Sequence, residues 1–318
     1  MLVAQFNSRS WNKGNRHAKP YCQCWNKKAP VSWTQLGDCV CGEENDVSEW
    51  KWEKPSEAGT SWVVLSEDRK QVTFHPFYSS GTAAAKGDAP LLHNHHYYWE
   101  IKILTDTYGT DIMVGAGTNK VNTTNVEFQF TSLLGQDAES YGLSYTGAVK
   151  HNAMISKSSV GFCKGTIVGV RVDMWRGTLE FYLNRKAQGI SFYNLRRHPA
   201  LYPMVCSTAA QSSMRLIYAA SWRASLLVDS AKILAASIKR HNIPPGLRYT
   251  VRSQFWLTLP TGDGDYDSND EDEQPNSIEM AQVNFRPNMT LSSGMKRHHW
   301  QTEPPIASTK QPLTMLLM

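Results

Sequence analysis

The chain has 318 residues, 41% of them apolar and 19% charged, with a formal net charge of +5; that is enough to bury one sizeable core and something small beside it. No apolar run in Met1 to Gly14 suits a signal peptide, and Asp229 and Lys232 interrupt the best later candidate for a membrane span, so an intracellular protein is expected. Six cysteines over this length do not describe a disulfide scaffold, so they read as reduced thiols, and the sequons at Asn122 and Asn288 read as chance matches.

Residues 1–38 form a basic N-terminal extension carrying Arg9, Lys13, Arg16, Lys19, Lys27 and Lys28. Its composition suits a solvated, disordered flank, with a weak nucleic-acid contact as the alternative. Cys22 and Cys24 in this arm and Cys39 and Cys41 just after it make two close pairs. Four thiolates suit a tetrahedral structural zinc, although paired zinc ligands are ordinarily spaced wider, and ordinary reduced thiols are the other reading. No other cofactor is implied.

From Cys39 to about Tyr218 short alternating segments are separated by turns. In Trp99-Glu100-Ile101-Lys102-Ile103 the odd positions are apolar and the even ones charged, which predicts one face in a core and the other in water. Leu179, Phe181 and Leu183 alternate in the same way with Glu180 and Tyr182, and Gly177 and Asn184-Arg185 supply turns for a hairpin. Ile112-Met113-Val114 and Ile167–Val172 add buried strands. Many short strands without intervening helices predict an antiparallel β-sandwich over residues 39–220.

The period turns helical after residue 218. Leu226, Ser230, Ile233, Leu234, Ser237 and Ile238 share one face behind a Ser225 N-cap, and the helix must stop before Pro244. A second helix is expected from Pro245 to Leu257, since Leu247, Val251 and Phe255 repeat every four residues. Residues 221–260 thus form a small helical appendage, and residues 261–318, opening on an acidic run from Asp263 to Glu273, read as a disordered tail.

No catalytic constellation stands out. His93, His95 and His96 cluster in an expected loop without an acid at ligand spacing. Gly115-Ala116-Gly117-Thr118 lacks the helix and lysine of a phosphate loop, and Ser144 lacks the glycine spacing of a nucleophile elbow. Cys163 and Cys206 have no evident base.

The series Tyr98-Trp99-Glu100-Ile101-Lys102, Tyr108–Gly115, Ser140–Tyr145, Asp173–Leu179 and Leu201–Val205 resembles a SPRY domain, and the appendage resembles a SOCS box. In this order they resemble the SPRY domain-containing SOCS box proteins over roughly residues 38–257. The resemblance implies a SPRY-type antiparallel β-sandwich followed by a small α-helical SOCS box. It also implies the substrate receptor of a cullin-RING ubiquitin ligase, without catalysis of its own, whose partners are a degron-bearing target, elongin B/C, and cullin-5 with its RING protein. Leu226, Ser230 and Leu234 would then face elongin in the helix-in-groove mode, and Ile243, Pro244 and Leu247 would face cullin. A helix that merely caps the sandwich is the competing reading.

The family's peptide pocket maps onto His75, Pro76, Phe77, Tyr78, Gly109, Thr110, Phe130, Thr208, Ala209 and Ala210. An arginine of better-known members is replaced near Phe74, a tyrosine by Phe130 and a tryptophan by Ala209, which implies a wider pocket less able to fix acidic or amide groups. Phe77, Tyr78 and Phe130 suit either a pocket or a core. Position 230 is usually cysteine in the family and is serine here; a buried hydroxyl without a partner costs roughly 1–3 kcal/mol, much of which a bond back to the Leu226 carbonyl can relieve. Weakened but retained elongin binding is expected. The alternatives are a SPRY interaction scaffold that no longer recruits a ligase and, from the basic arm, a nucleic-acid-associated factor. Lys27-Lys28 and Lys296-Arg297 do not decide between nucleus and cytoplasm.

Overall fold

The computed structural model describes residues 17–21, 39–55, 62–123, 128–157, 160–226 and 229–230. Cys22, Cys24, Leu234, Ile243, Pro244, Leu247, the second helix and the tail lie outside the described residues.

Among the described residues thirteen strands pair antiparallel in two sheets. The seven-stranded sheet runs β1 (Val63–Leu65), β2 (Gln71–Phe74), β13 (Ser212–Arg223), β4 (His95–Ile103), β9 (Ile167–Asp173), β10 (Thr178–Leu183) and β11 (Lys186–Phe192). The six-stranded sheet runs β3 (Ala83–Lys86), β12 (Tyr202–Ser207), β5 (Ile112–Gly117), β6 (Ser140–Ser144), β7 (Ala148–His151) and β8 (Met154–Lys157). The facing sides enclose one core in which Trp99, Ile101, Val170, Leu179 and Phe181 meet Val114, Leu143 and Val205, with Trp50 edge-on to Trp52 and Trp99. Each such side chain stabilises the fold by about 1.5–3 kcal/mol when fully buried. The Gly115-Ala116-Gly117 run is part of β5. A Cβ on Gly115 would collide with the Tyr141 carbonyl oxygen, so glycine there permits close strand approach.

Two expectations from periodicity are corrected. Glu100 and Lys102, expected in water, are both 0% exposed, and Glu180 and Tyr182 are buried too. The chain before the sandwich covers the outer face of the seven-stranded sheet: Tyr21 N–H donates to the Gly165 carbonyl, and Val47 and Glu49 bond to Ala219. Lys102 Nζ donates to the Cys39 carbonyl at 2.6 Å and to Glu43 at 3.1 Å. Glu100 accepts from Tyr98 at 2.7 Å and from Arg185 Nε at 3.0 Å, and Arg185 also bonds to the Gly42 carbonyl and Glu44. A charged layer can be buried because almost every charge in it is matched. The same layer shows that residues 17–21, expected in a solvated arm, lie on the body, where Ala18 N–H donates to the Gly161 carbonyl.

The second correction concerns the joint. The strand does not end at Tyr218: a bulge between Leu216 and Tyr218 resets the pairing, and β13 continues against β4 to Arg223 opposite His95. The bulge shifts the alternation by one residue, which is why the period breaks at 218 while the strand continues. Helical backbone begins at Leu226, and Asp229 N–H donates to the Ser225 carbonyl at 3.1 Å.

Candidate functional site

Strand pairing sets where the chemistry gathers. Phe74 pairs with Ser212, Ser207 with both Ile112 and Ala83, and Met214 with Ile103. The β2–β3, β4–β5 and β12–β13 connections therefore emerge at one end of the sandwich. Part of the long β5–β6 connection joins them, since Thr82 Oγ1 donates to the Gln129 carbonyl at 2.6 Å and accepts from Thr131 N–H at 3.0 Å.

Beneath these loops lies a polar floor. Thr208 N–H donates to the Asp111 carbonyl, while Asp111 N–H donates to Thr208 Oγ1, both at 3.0 Å. The Asp111 carboxylate is buried and accepts from Lys150 at 2.7 Å, Ser144 at 2.6 Å and Ser132 at 2.5 Å. Gly109 has φ +85, and a Cβ there would meet Thr208 Oγ1 at 2.9 Å, so this corner needs glycine. Its carbonyl accepts from Tyr145, and the Tyr108 hydroxyl donates to the Ala210 carbonyl. His75 also sits in the left-handed region, at φ 48; its Nε2 lies 3.2 Å from the Ser207 carbonyl, and its own carbonyl accepts from Gln211 N–H. Burial pulls the His75 pKa below its ordinary value, against the opposing pull of carbonyl hydrogen bonds.

The residues mapped from the family divide into two groups at this end. His75, Thr208 and Ala209 are buried and shape the floor. Phe77, Tyr78 and Phe130 are 85%, 64% and 54% exposed, so they are surface side chains and not core aromatics. Pro76 offers its carbonyl to Gln211 at 3.4 Å, and Thr110 is exposed. Tyr108 and Phe128, which are not among the mapped positions, are exposed on the same loops at 45% and 77%. Each lies within two residues of a mapped position, and that proximity was the available signal.

The opposite end of β4, β9 and β13 carries the helical turn. His95 and His96 belong to β4 and not to a loop. The fold brings acids to His96 that linear spacing hid: Asp173 lies 3.3 Å from Nδ1 and Asp229 of the helical turn 3.7 Å from Nε2, with His96 2% exposed. Burial raises the Asp173 pKa, but the His96 ring beside it and the hydrogen bond from the Arg176 N–H outweigh it and leave the carboxyl below its ordinary range. Leu226 is 83% exposed and Ser230 is also exposed.

Among the described residues no group of three His, Cys, Asp or Glu could hold a metal. Cys39 is buried with Sγ 3.3 Å from Lys102 Nζ. Burial, with Asp111 adding to it, pushes the Cys206 thiol up to about 12, and burial raises Cys163 as well, so neither is a ready nucleophile at neutral pH. No helix among the described residues is long and apolar enough to cross a membrane.

A two-sheet antiparallel sandwich with its aromatic loops gathered at one end defines the class, and residues 96–220 match the SPRY domain family. Two curated relatives extend the match beyond that domain. SPRY domain-containing SOCS box protein 3 of Xenopus tropicalis is 40% identical over 261 residues, 76% of this chain and 69% of the relative, and the Xenopus laevis protein of the same name matches to the same extent. The chain belongs to the SPRY domain-containing SOCS box protein family. Among solved structures it aligns with the TRIM65 PSpry domain at TM-score 0.42 and 16% identity, over 52% of this chain and 88% of that one. The SPRY domain of human HERC1 aligns at TM-score 0.40 and 16% identity, over 48% and 91%.

Proposed function

We propose that the protein is a substrate-recognition adaptor of an elongin B/C, cullin-5 and RING ubiquitin ligase. In this reading the SPRY sandwich holds a short degron peptide of a target for ubiquitination, and no residue of this chain is catalytic. The observation that carries it is the placement of two exposed apolar features at the two ends of one strand. The aromatic loops stand where β13 begins at Ser212, and Leu226 stands just past its end at Arg223. Twelve residues of strand at about 3.3 Å each set the ends about 40 Å apart, room for a target and a ligase to be held at once.

An exposed leucine in the first turn of an amphipathic helix suits a partner's groove. Elongin B/C should therefore co-purify with the full chain, and Leu226→Ala should remove most of the association; absence of elongin, or an unchanged association, overturns the reading. Ser230, where the family has cysteine, favours the second reading, a SPRY scaffold without ligase recruitment. In that case targets are captured but elongin is not.

A further inference from the structure

The loop end has a charge pattern that narrows what it can hold. Across residues 75–81, 105–111, 128–132 and 208–211 the only ionisable acids and bases besides tyrosine are His75, Asp106 and Asp111. His75 and Asp111 are buried, and Asp111 is neutralised by Lys150 at 2.7 Å. Asp106 faces Lys164 at 3.9 Å. None of these stretches contains a lysine or arginine that could meet an acidic ligand or an anionic lipid headgroup. What the loops present instead is aromatic: Phe77, Tyr78, Tyr108, Phe128 and Phe130 are exposed, alongside Thr110, Gln129 and Gln211. Gathered apolar side chains on loops that contribute little to the core mark a place of contact, and aromatics ringed by polar groups are the composition of an interface centre.

We propose that this end selects an uncharged peptide segment anchored by a large aromatic or aliphatic side chain and flanked by amide or hydroxyl side chains, and that it rejects acidic segments. The inference rests on the peptide-receptor reading above and adds the chemistry of the ligand.

The test is binding of the full chain to an array of random short peptides at about 0.05 and 0.5 M salt, conditions that separate screened from unscreened charge. Bound peptides should be enriched in Phe, Tyr, Trp, Leu or Met and depleted in Asp and Glu, with affinity changing less than about twofold between the two salts. Phe77→Ser and Phe130→Ser should each weaken binding at least about tenfold, as interface anchors do, with an unchanged melting temperature. Acidic binders, asparagine-rich binders without an apolar anchor, or indifference to both substitutions overturn the inference while leaving peptide recognition standing. A preparation that retains elongin but binds no peptide overturns peptide recognition itself, and the inference with it.

Discussion

The outer face of the seven-stranded sheet and the loop end of the sandwich invert the usual arrangement in opposite ways. The sheet face buries Lys102 under the preceding chain and Glu100 beside Arg185, with Glu180 and Tyr182 buried on the same sheet, whereas the loop end leaves Phe77, Tyr78 and Phe130 exposed. Charges can be buried where each meets a partner, as Glu100 meets Arg185 and Lys102 meets Glu43. Phe77 and Phe130 remain exposed on the loops, and Tyr78, though edge-on to Trp62, is exposed beside them. The first region holds the fold together and the second is available for binding, so substitutions should separate stability from recognition.

The largest expected effect lies in the charged layer. Arg185→Leu leaves Glu100 buried beside the Tyr98 hydroxyl without its cation, and losing one partner of a buried pair costs about 3–5 kcal/mol. Chemical denaturation should register that loss; a change under about 1 kcal/mol would mean that the layer is decoration. Next, Leu226→Ala should cost at least about 2 kcal/mol of elongin affinity, as an interface anchor does, measured by calorimetry, and leave thermal stability unaltered because the side chain is 83% exposed.

A smaller effect depends on pH. His75 has a folded pKa pulled below its ordinary value by burial, and so has His198, where burial and Arg197 both act. The unfolded chain therefore binds protons more readily, and stability that is complete above about pH 6.5 is lost as pH falls toward the folded values. Melting temperature should drop by about 2–4 °C between about pH 7.5 and 5.5, the response of a domain of this size to a loss near 1 kcal/mol. His75→Asn should remove that residue's share of the slope, and an identical slope in the variant would detach His75 from the effect. The smallest expected change is Phe77→Ser, within about 0.5 kcal/mol of the parent in stability; a larger loss would move Phe77 from the binding surface into the structural core.

Much of the architecture was legible in the residues. The alternation at 99–103 and 179–183 marked β4 and β10 because a strand side chain reports its face every second residue, and the apolar stretch at 167–172 marked β9 as a buried strand. That rule assumes that the second face meets water. It misplaced Lys102 because Cys39 and Glu43, 63 and 59 residues earlier, return to cover it, and it misplaced Glu100 because Arg185 lies against it from 85 residues later. The break in period at 218 was visible but open to the wrong cause, since a bulge and a helix start both disturb twofold alternation. At the loop end the family's residues could be mapped by position, but whether His75 or Phe77 faced outward could not, as neither lies in a periodic segment.

Local pattern by itself therefore determined that the body of this chain is an antiparallel β-sandwich, because hydrophobic period is a property of neighbouring residues. Only the tertiary structure decided which charges are buried, which aromatics remain in water, and that His96 sits between Asp173 and Asp229. Those outcomes depend on contacts between segments far apart in sequence, and a contact of that kind leaves no periodic trace in either segment.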